Sequence, residues 1–224
     1  MNSYGIANMA TLTVDGRQIE AEQGANLLKT CLDNGIYIPN LCYLEQRPAP
    51  AASCRMCFVQ IDDMPRPVTS CTVSVADGMT VRTDTEEVRR LQRAGLELLL
   101  SVHDVACKTC PANRNCALQD MARFLKVGLK SKRLPKCLKT ESIVCEHPFV
   151  DYYPNRCVLC GKCVAVCRAQ SGLPFLAFAG RGFSTVVSAF GADETECTDC
   201  GACIEICPVG ALVARTDSPP QQAS

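Results

Sequence analysis

The chain has 224 residues, and Lys+Arg and Asp+Glu are equal at 23 each, so net charge gives no argument for binding nucleic acid or an anionic surface. Hydrophobic residues make up 47 %, but that figure includes 18 cysteines; tryptophan is absent and aromatics reach only 5 %. An apolar stock this thin needs disulfides or metal to hold its cores together.

Met1–Ala10 lacks the basic flank and long apolar core of a secretion signal. Residues 10–84 read as a small mixed domain. Thr11–Val14 alternates like a strand, Asp15-Gly16 makes a hairpin turn and Arg17–Glu20 returns. Asn26–Asn34 reads as a short helix stopped by Gly35. Strand-like runs follow at Phe58–Ile61, Thr72–Val75 and Thr80–Thr83, and together these elements suggest a β-grasp arrangement. Thr85–Val102 is a helix with Thr85 as cap; its most apolar part, Leu91–Val102, is too short and interrupted to span a bilayer, so no membrane insertion is expected. Residues 85–145 form a second segment with a short helix at Ala117–Leu125. It carries a basic run of Arg123, Lys126, Lys130, Lys132, Arg133, Lys136 and Lys139, read as a solvated face or as a docking patch for an acidic partner. Residues 146–214 repeat internally: the run from Pro154 to Cys163 is echoed from Thr195 to Cys203, with a hairpin of Leu176–Ala179 and Ser184–Phe190 around Gly180-Arg181-Gly182 between them. Residues 215–224 read as a disordered tail, polar and rich in Pro and Gln from Thr216 on. The fold class expected is α+β.

With no export signal the expected location is the cytoplasm, where cysteines bind metal more often than they pair. The strongest motif is C-x2-C-x2-C-x3-C, present at Cys157, Cys160, Cys163 and Cys167 and again at Cys197, Cys200, Cys203 and Cys207. Three closely spaced thiolates hold three corners of one [4Fe–4S] cube, and the fourth reaches the other cube. One cube is therefore assigned to Cys157, Cys160, Cys163 and Cys207, the other to Cys197, Cys200, Cys203 and Cys167. Arg168 stands where Pro follows the last Cys of the bacterial pattern, whereas Pro208 keeps it. The competing reading, a pair of zinc knots, fits poorly, because zinc sites use separated Cys pairs rather than runs of three.

Two further groups are less self-explanatory. Cys42, Cys54, Cys57 and Cys71 give C-x11-C-x2-C-x13-C, whose first gap is longer than in the plant-type [2Fe–2S] pattern. His103, Cys107, Cys110 and Cys116 give H-x3-C-x2-C-x5-C, and from the residues alone the histidine is as easily a core or surface residue as a ligand. Cys31, Cys137 and Cys145 are left over; Cys31 reads as a small apolar residue, and Cys137 or Cys145 is an alternative to His103.

Here the sequence resembles a known family. Leu41-Cys42-Tyr43, Ser53-Cys54-Arg55-Met56-Cys57 and Cys116-Ala117-Leu118-Gln119 resemble the ligand loops of the large iron–sulfur subunit of bacterial NADH dehydrogenases. The resemblance implies a [2Fe–2S] cluster on Cys42, Cys54, Cys57 and Cys71, and a [4Fe–4S] cluster on His103, Cys107, Cys110 and Cys116. The order of sites over residues 10–214 is similar to the diaphorase iron–sulfur subunit of NAD-reducing hydrogenases and to the N-terminal region of iron-only hydrogenases. Relatives occur in electron-bifurcating, formate dehydrogenase and benzoyl-coenzyme A reductase complexes. The resemblance implies one [2Fe–2S] and three [4Fe–4S] clusters, and an electron-transfer subunit between a flavin-containing NAD(H) subunit and a second, catalytic subunit. No G-x-G-x-x-G or P-loop appears, and no catalytic constellation survives assignment of the cysteines, so a non-catalytic role is expected. A free-standing polyferredoxin and a zinc-stabilised interaction module are the alternatives.

Overall fold

A computed structural model of the protein describes residues 8–130, 133–139, 147–172, 175–190, 197 and 200–215. Lys132, Cys145 and the tail from Thr216 lie outside the described residues. The chain divides into two compact units, Met1–Leu96 and Glu97–Ser224.

In the first unit, β1 (Met9–Val14) and β2 (Arg17–Glu22) pair antiparallel with Leu12 opposite Ile19. Asp15 and Gly16 both take positive φ, 49° and 81°, the geometry a two-residue hairpin needs to match strand twist. The Asp15 carboxylate also accepts from the Thr83 amide at 2.7 Å and its hydroxyl at 2.6 Å, tying the turn to the end of β5. β3 (Phe58–Ile61), β4 (Val68–Thr69) and β5 (Thr80–Arg82) complete a five-stranded sheet in the order β2-β1-β5-β3-β4, with β5 parallel to β1 and the other pairs antiparallel. Alternation along β1 sends Ala10, Leu12 and Val14 into one core. α1 (Leu27–Asp33) adds Leu27, Leu28 and Cys31 to that core, and its N-terminus is capped by Asn26, whose side chain accepts from the Lys29 amide.

The strand expected at Thr72–Val75 does not form. The chain makes a 3-10 turn at Ser70–Thr72, and the residues after it bond the approach to α1: Leu27 N–H donates to Val73 O at 2.9 Å, and Val75 N–H to Ala25 O at 2.8 Å. Turning there buries Cys71, which a continued strand would carry along the sheet. α2 (Glu86–Ser101) starts as expected, with Thr85 Oγ1 accepting from Val88 N–H at 3.2 Å and Glu86 and Glu87 in its first turn, where the helix dipole favours acids.

In the second unit, α3 (Ala117–Leu125) buries Leu118, Met121, Ala122 and Leu125. β6 (Val150–Tyr152) and β9 (Leu212–Ala214) pair antiparallel, with Asp151 opposite Val213; three-residue strands this short leave no alternation to read. Between them lie α4 (Lys162–Ser171), the hairpin of β7 (Leu176–Ala179) and β8 (Val186–Ala189), and α5 (Ala202–Glu205). Val150, Cys163, Leu176, Val187 and Leu212 form the core they share. Arg215, placed by sequence in the disordered tail, instead extends the β6–β9 ladder: its amide donates to Phe149 O and its Nε to Asp151 Oδ1, each at 3.0 Å. Mixed helix and sheet content agrees with the α+β class, and among the described residues no helix is long and apolar enough to cross a membrane.

Candidate metal centres

In the first unit Cys42, Cys54, Cys57 and Cys71 are all buried. Cys42 and Cys54 Sγ lie 3.4 Å apart, and the Cys57 and Cys71 thiols hydrogen-bond each other. The loop that presents Cys54 and Cys57 holds Ala52 and Arg55 at φ 48° and 54°, left-handed values that cost side-chain-bearing residues energy and turn the chain tightly. Ser70 holds the other side in place, donating to Cys57 O from its amide at 2.8 Å and its hydroxyl at 2.9 Å. Asn26 donates from Nδ2 to Cys71 O at 2.7 Å. The first part of α2 runs close over the loop: a Cβ on Gly95 would meet Arg55 O at 2.9 Å, and Gln92 Nε2 donates to Phe58 O at 3.0 Å. In each thiol pair the shared hydrogen bond lowers one pKa, that of Cys42 and of Cys57, and raises the other, that of Cys54 and of Cys71. Four buried thiols so coupled suit a group that displaces their protons.

In the second unit His103 follows the last turn of α2, Cys107 lies in a 3-10 turn at Cys107–Thr109, and Cys116 occupies the N-cap position of α3. Burial raises the Cys116 thiol pKa, and Cys110 and Cys107 raise it further by charge, so both lie within electrostatic reach of Cys116. His103 is buried; its ring hydrogen-bonds the backbone of Arg156, yet among the described residues Nδ1 has no hydrogen-bond partner. Burial also lowers its pKa, which keeps the imidazole neutral. A neutral ring held on one side with a bare buried nitrogen on the other is the state a metal-binding histidine needs. Lys136, from the basic run, is not simply solvated: its ammonium donates to Leu100 O at 2.6 Å and His103 O at 3.1 Å, closing the C-terminus of α2 beside the histidine.

The two C-terminal runs build two cavities. Cys157, Cys160, Cys163 and Cys207 line one of about 330 Å³ including its mouth. Cys167, Cys197, Cys200 and Cys203 line another of about 400 Å³, likewise with its mouth. Each cavity thus takes three cysteines from one run and one from the other, because Cys167 is carried away along α4 and Cys207 follows α5. Gly161 and Gly201, at φ 70° and 64°, and Leu159, at 52°, bend the backbone around the thiols. Leu159 N–H points at Cys157 Sγ (3.4 Å) and Ala211 N–H at Cys207 Sγ (3.3 Å). Burial pushes Cys160 up to about 11 and Cys203 up to about 12, so both are protonated until something displaces the proton. Four thiols line each cavity, a donor set that suits an iron–sulfur cluster.

Two side chains at these cavities carry no sequence signal: His147 lines the second and Tyr152 the first. Of the cysteines left over, Cys31 is buried in the α1 core and Cys137 is exposed.

Three family models match successive parts of the chain. Residues 7–86 match a 2Fe-2S iron-sulfur cluster binding domain, residues 92–129 an NADH-ubiquinone oxidoreductase-G iron-sulfur binding region, and residues 147–213 the ferredoxin-like domain of NADH-quinone oxidoreductase subunit 3. An NADH-quinone oxidoreductase subunit of Rhizobium meliloti is 35 % identical over 206 residues, which is 92 % of this chain and 24 % of that one. The NADPH-Fe(3+) oxidoreductase subunit alpha of Geobacter sulfurreducens is 33 % identical over 207 residues, again 92 % and 24 %. The chain therefore spans about a quarter of the length of these curated relatives. Among solved structures, a chain of an NAD+-reducing [NiFe]-hydrogenase in its H2-reduced state superposes with a TM-score of 0.79 at 27 % identity, covering 95 % of this chain and 90 % of that one. Along residues 7–213 the chain resembles, domain after domain, a subunit of NADH-quinone oxidoreductase and a chain of NAD+-reducing [NiFe]-hydrogenase, with a region matching a [2Fe–2S] domain followed by regions matching [4Fe–4S] domains.

Proposed function

We propose that the chain is an electron-transfer iron–sulfur subunit, relaying single electrons between a flavin-containing NAD(H) subunit and a catalytic partner in an oxidoreductase complex of the hydrogenase, formate dehydrogenase or benzoyl-coenzyme A reductase type. The observation that carries this reading is the exchange of the fourth cysteine between the two C-terminal cavities, which a pair of independent zinc knots has no reason to make. Iron–sulfur clusters, when bound, take up and release one electron at a time over a wide range of potentials. The chain's own residues would hold them: Cys42, Cys54, Cys57 and Cys71 a [2Fe–2S] cluster; His103, Cys107, Cys110 and Cys116 a [4Fe–4S] cluster; and the two cavity sets one [4Fe–4S] cluster each. The bare Nδ1 of buried His103 supports its membership of the second set. A neutral imidazole in place of a thiolate leaves that site less negative than an all-cysteine one, which favours reduction there.

The reading includes three domains: a β-grasp [2Fe–2S] domain at 10–84, a small histidine-ligated domain at 85–145 and a two-cluster ferredoxin-like domain at 146–214. The parallel β1–β5 pair beside a hairpin and α1 supports the first, and the shared core around β6, β9 and α4 supports the last. The test is anaerobic purification followed by metal and acid-labile sulfide assay. About fourteen irons per chain, with electron paramagnetic resonance of [2Fe–2S] and [4Fe–4S] types, are expected. Stoichiometric zinc without sulfide refutes the reading, and an iron-loaded chain that never copurifies with a flavoprotein turns it into a free-standing carrier.

A further inference from the structure

Two donors, one buried and one half-buried, face the sulfurs of the C-terminal cavities, one each, and both come from the single segment 147–152. His147 is 4 % exposed and lines the second cavity. Its Nδ1 accepts the Phe149 amide at 3.2 Å, which leaves Nε2 as the protonated nitrogen of the neutral ring. Nε2 lies 3.4 Å from Cys197 Sγ, so its N–H donates to that sulfur. Phe149 stacks edge-on to the same ring with centroids 6.3 Å apart and fixes its plane. Tyr152 makes the matching arrangement at the first cavity. Its oxygen accepts the Val187 amide at 3.1 Å, and it shares the lining of the first cavity with Cys157, so the one hydroxyl proton is left for that sulfur. β6 holds Tyr152 in place through its pairing with Leu212, which lines the same cavity.

We propose that His147 and Tyr152 are positioning residues for the two ferredoxin-like centres, each donating one hydrogen bond to a ligand sulfur, Cys197 and Cys157 respectively, and so raising the reduction potential of the centre that sulfur holds. The proposal rests on the ligand sets given under the proposed function. A donor aimed at a thiolate offsets negative charge, and it does so more strongly once the centre has gained an electron, so the reduced form is favoured. Because the donors differ, a phenol at one centre and an imidazole at the other, the two all-cysteine centres are made unequal by residues outside the cysteine repeat.

The experiment is a redox titration followed by electron paramagnetic resonance at one fixed pH, on the iron-loaded full chain and on Tyr152→Phe, His147→Leu and His147→Gln, with iron and sulfide counted in each. Tyr152→Phe keeps the ring and removes only the hydroxyl. It is expected to leave the counts unchanged and to move one [4Fe–4S] signal to a more negative potential, by roughly tenfold in the reduction equilibrium or about 59 mV for one electron. His147→Leu is expected to move a different signal by a similar amount, and His147→Gln, whose amide N–H can still donate, to recover part of that shift. Full iron counts with unchanged potentials overturn the proposal. So does a shift of the same signal by both variants. Loss of the centre in Tyr152→Phe also counts against it, since the hydroxyl would then be a requirement for assembly. A wild-type chain without iron and sulfide defeats the ligand reading itself, an outcome distinct from all of these.

Discussion

Asn26 joins the helix of the first unit to its thiol site, and its removal has a calculable cost. Its Oδ1 accepts the Lys29 amide at 3.2 Å and caps α1, a seven-residue helix with no acid in its first turn to help. Its Nδ2 donates to Cys71 O at 2.7 Å. Losing an N-cap costs about 1 kcal/mol, and losing a partly buried hydrogen bond about 1 kcal/mol more. Asn26→Ala is therefore expected to destabilise the first unit by about 2 kcal/mol, which lowers a urea midpoint by about 1 M at a slope of about 2 kcal/mol per M. Asn26→Asp separates the two contributions, because it keeps the capping oxygen and loses the donor to Cys71; about half of the loss is expected. The measurements are urea denaturation of the full chain by circular dichroism and the rate at which a chelator bleaches the [2Fe–2S] absorbance. The bleaching is expected to be faster in both variants, since both free the Cys71 turn. An Asn26→Ala midpoint within experimental error of wild type, with unchanged bleaching, refutes the claim that this side chain couples helix and site.

Three other outcomes follow from single contacts. His103→Ala removes the ring with the bare Nδ1 and is expected to reduce the iron content by about four atoms per chain while the [2Fe–2S] signal persists; an unchanged iron count removes His103 from the ligand set. Gly210 has φ +63°, and a Cβ there would lie 2.7 Å from Ala112 Cβ, so Gly210→Val is expected to part the Cys110–Cys116 loop from the Cys207 loop and to lower iron content and midpoint together, by about 2 kcal/mol or more in stability. Burial pushes Cys31 up to about 12, with the Asp15 carboxylate adding to the effect. The unfolded chain loses that proton near pH 9 and the folded chain does not, so this stabilisation is complete below pH 9 and lost as pH rises toward 12; Cys31→Val is expected to flatten the alkaline fall of the urea midpoint, and an unaltered pH slope refutes the assignment.

What could be read from sequence and what could not divides along a physical line. The thiol sets of the C-terminal cavities were legible because a cluster-binding run is local: spacings of two residues fix which sulfurs share a corner region, and a helix between the third and fourth Cys fixes the exchange. Hairpin and helix limits in the first unit were legible for the same reason, since Asp15-Gly16 and Thr85 act on their immediate neighbours. The segment at Thr72–Val75 misled because its β-branched residues satisfy a strand pattern, while the long-range bonds to Ala25 and Leu27 turn it into the wall of a site. β6 and β9 were invisible for want of length, and with them the placement of Tyr152. His147 and Cys197 lie far apart in the chain, and no spacing rule joins them. The division matters for function. Ligand identity, which is local, decides that a cluster binds; hydrogen bonds to the sulfurs, which are tertiary, decide the potential at which it works. Two chains with identical cysteine motifs can therefore differ in reduction potential, and under the proposal made above the residues that would make that difference in this one are His147 and Tyr152.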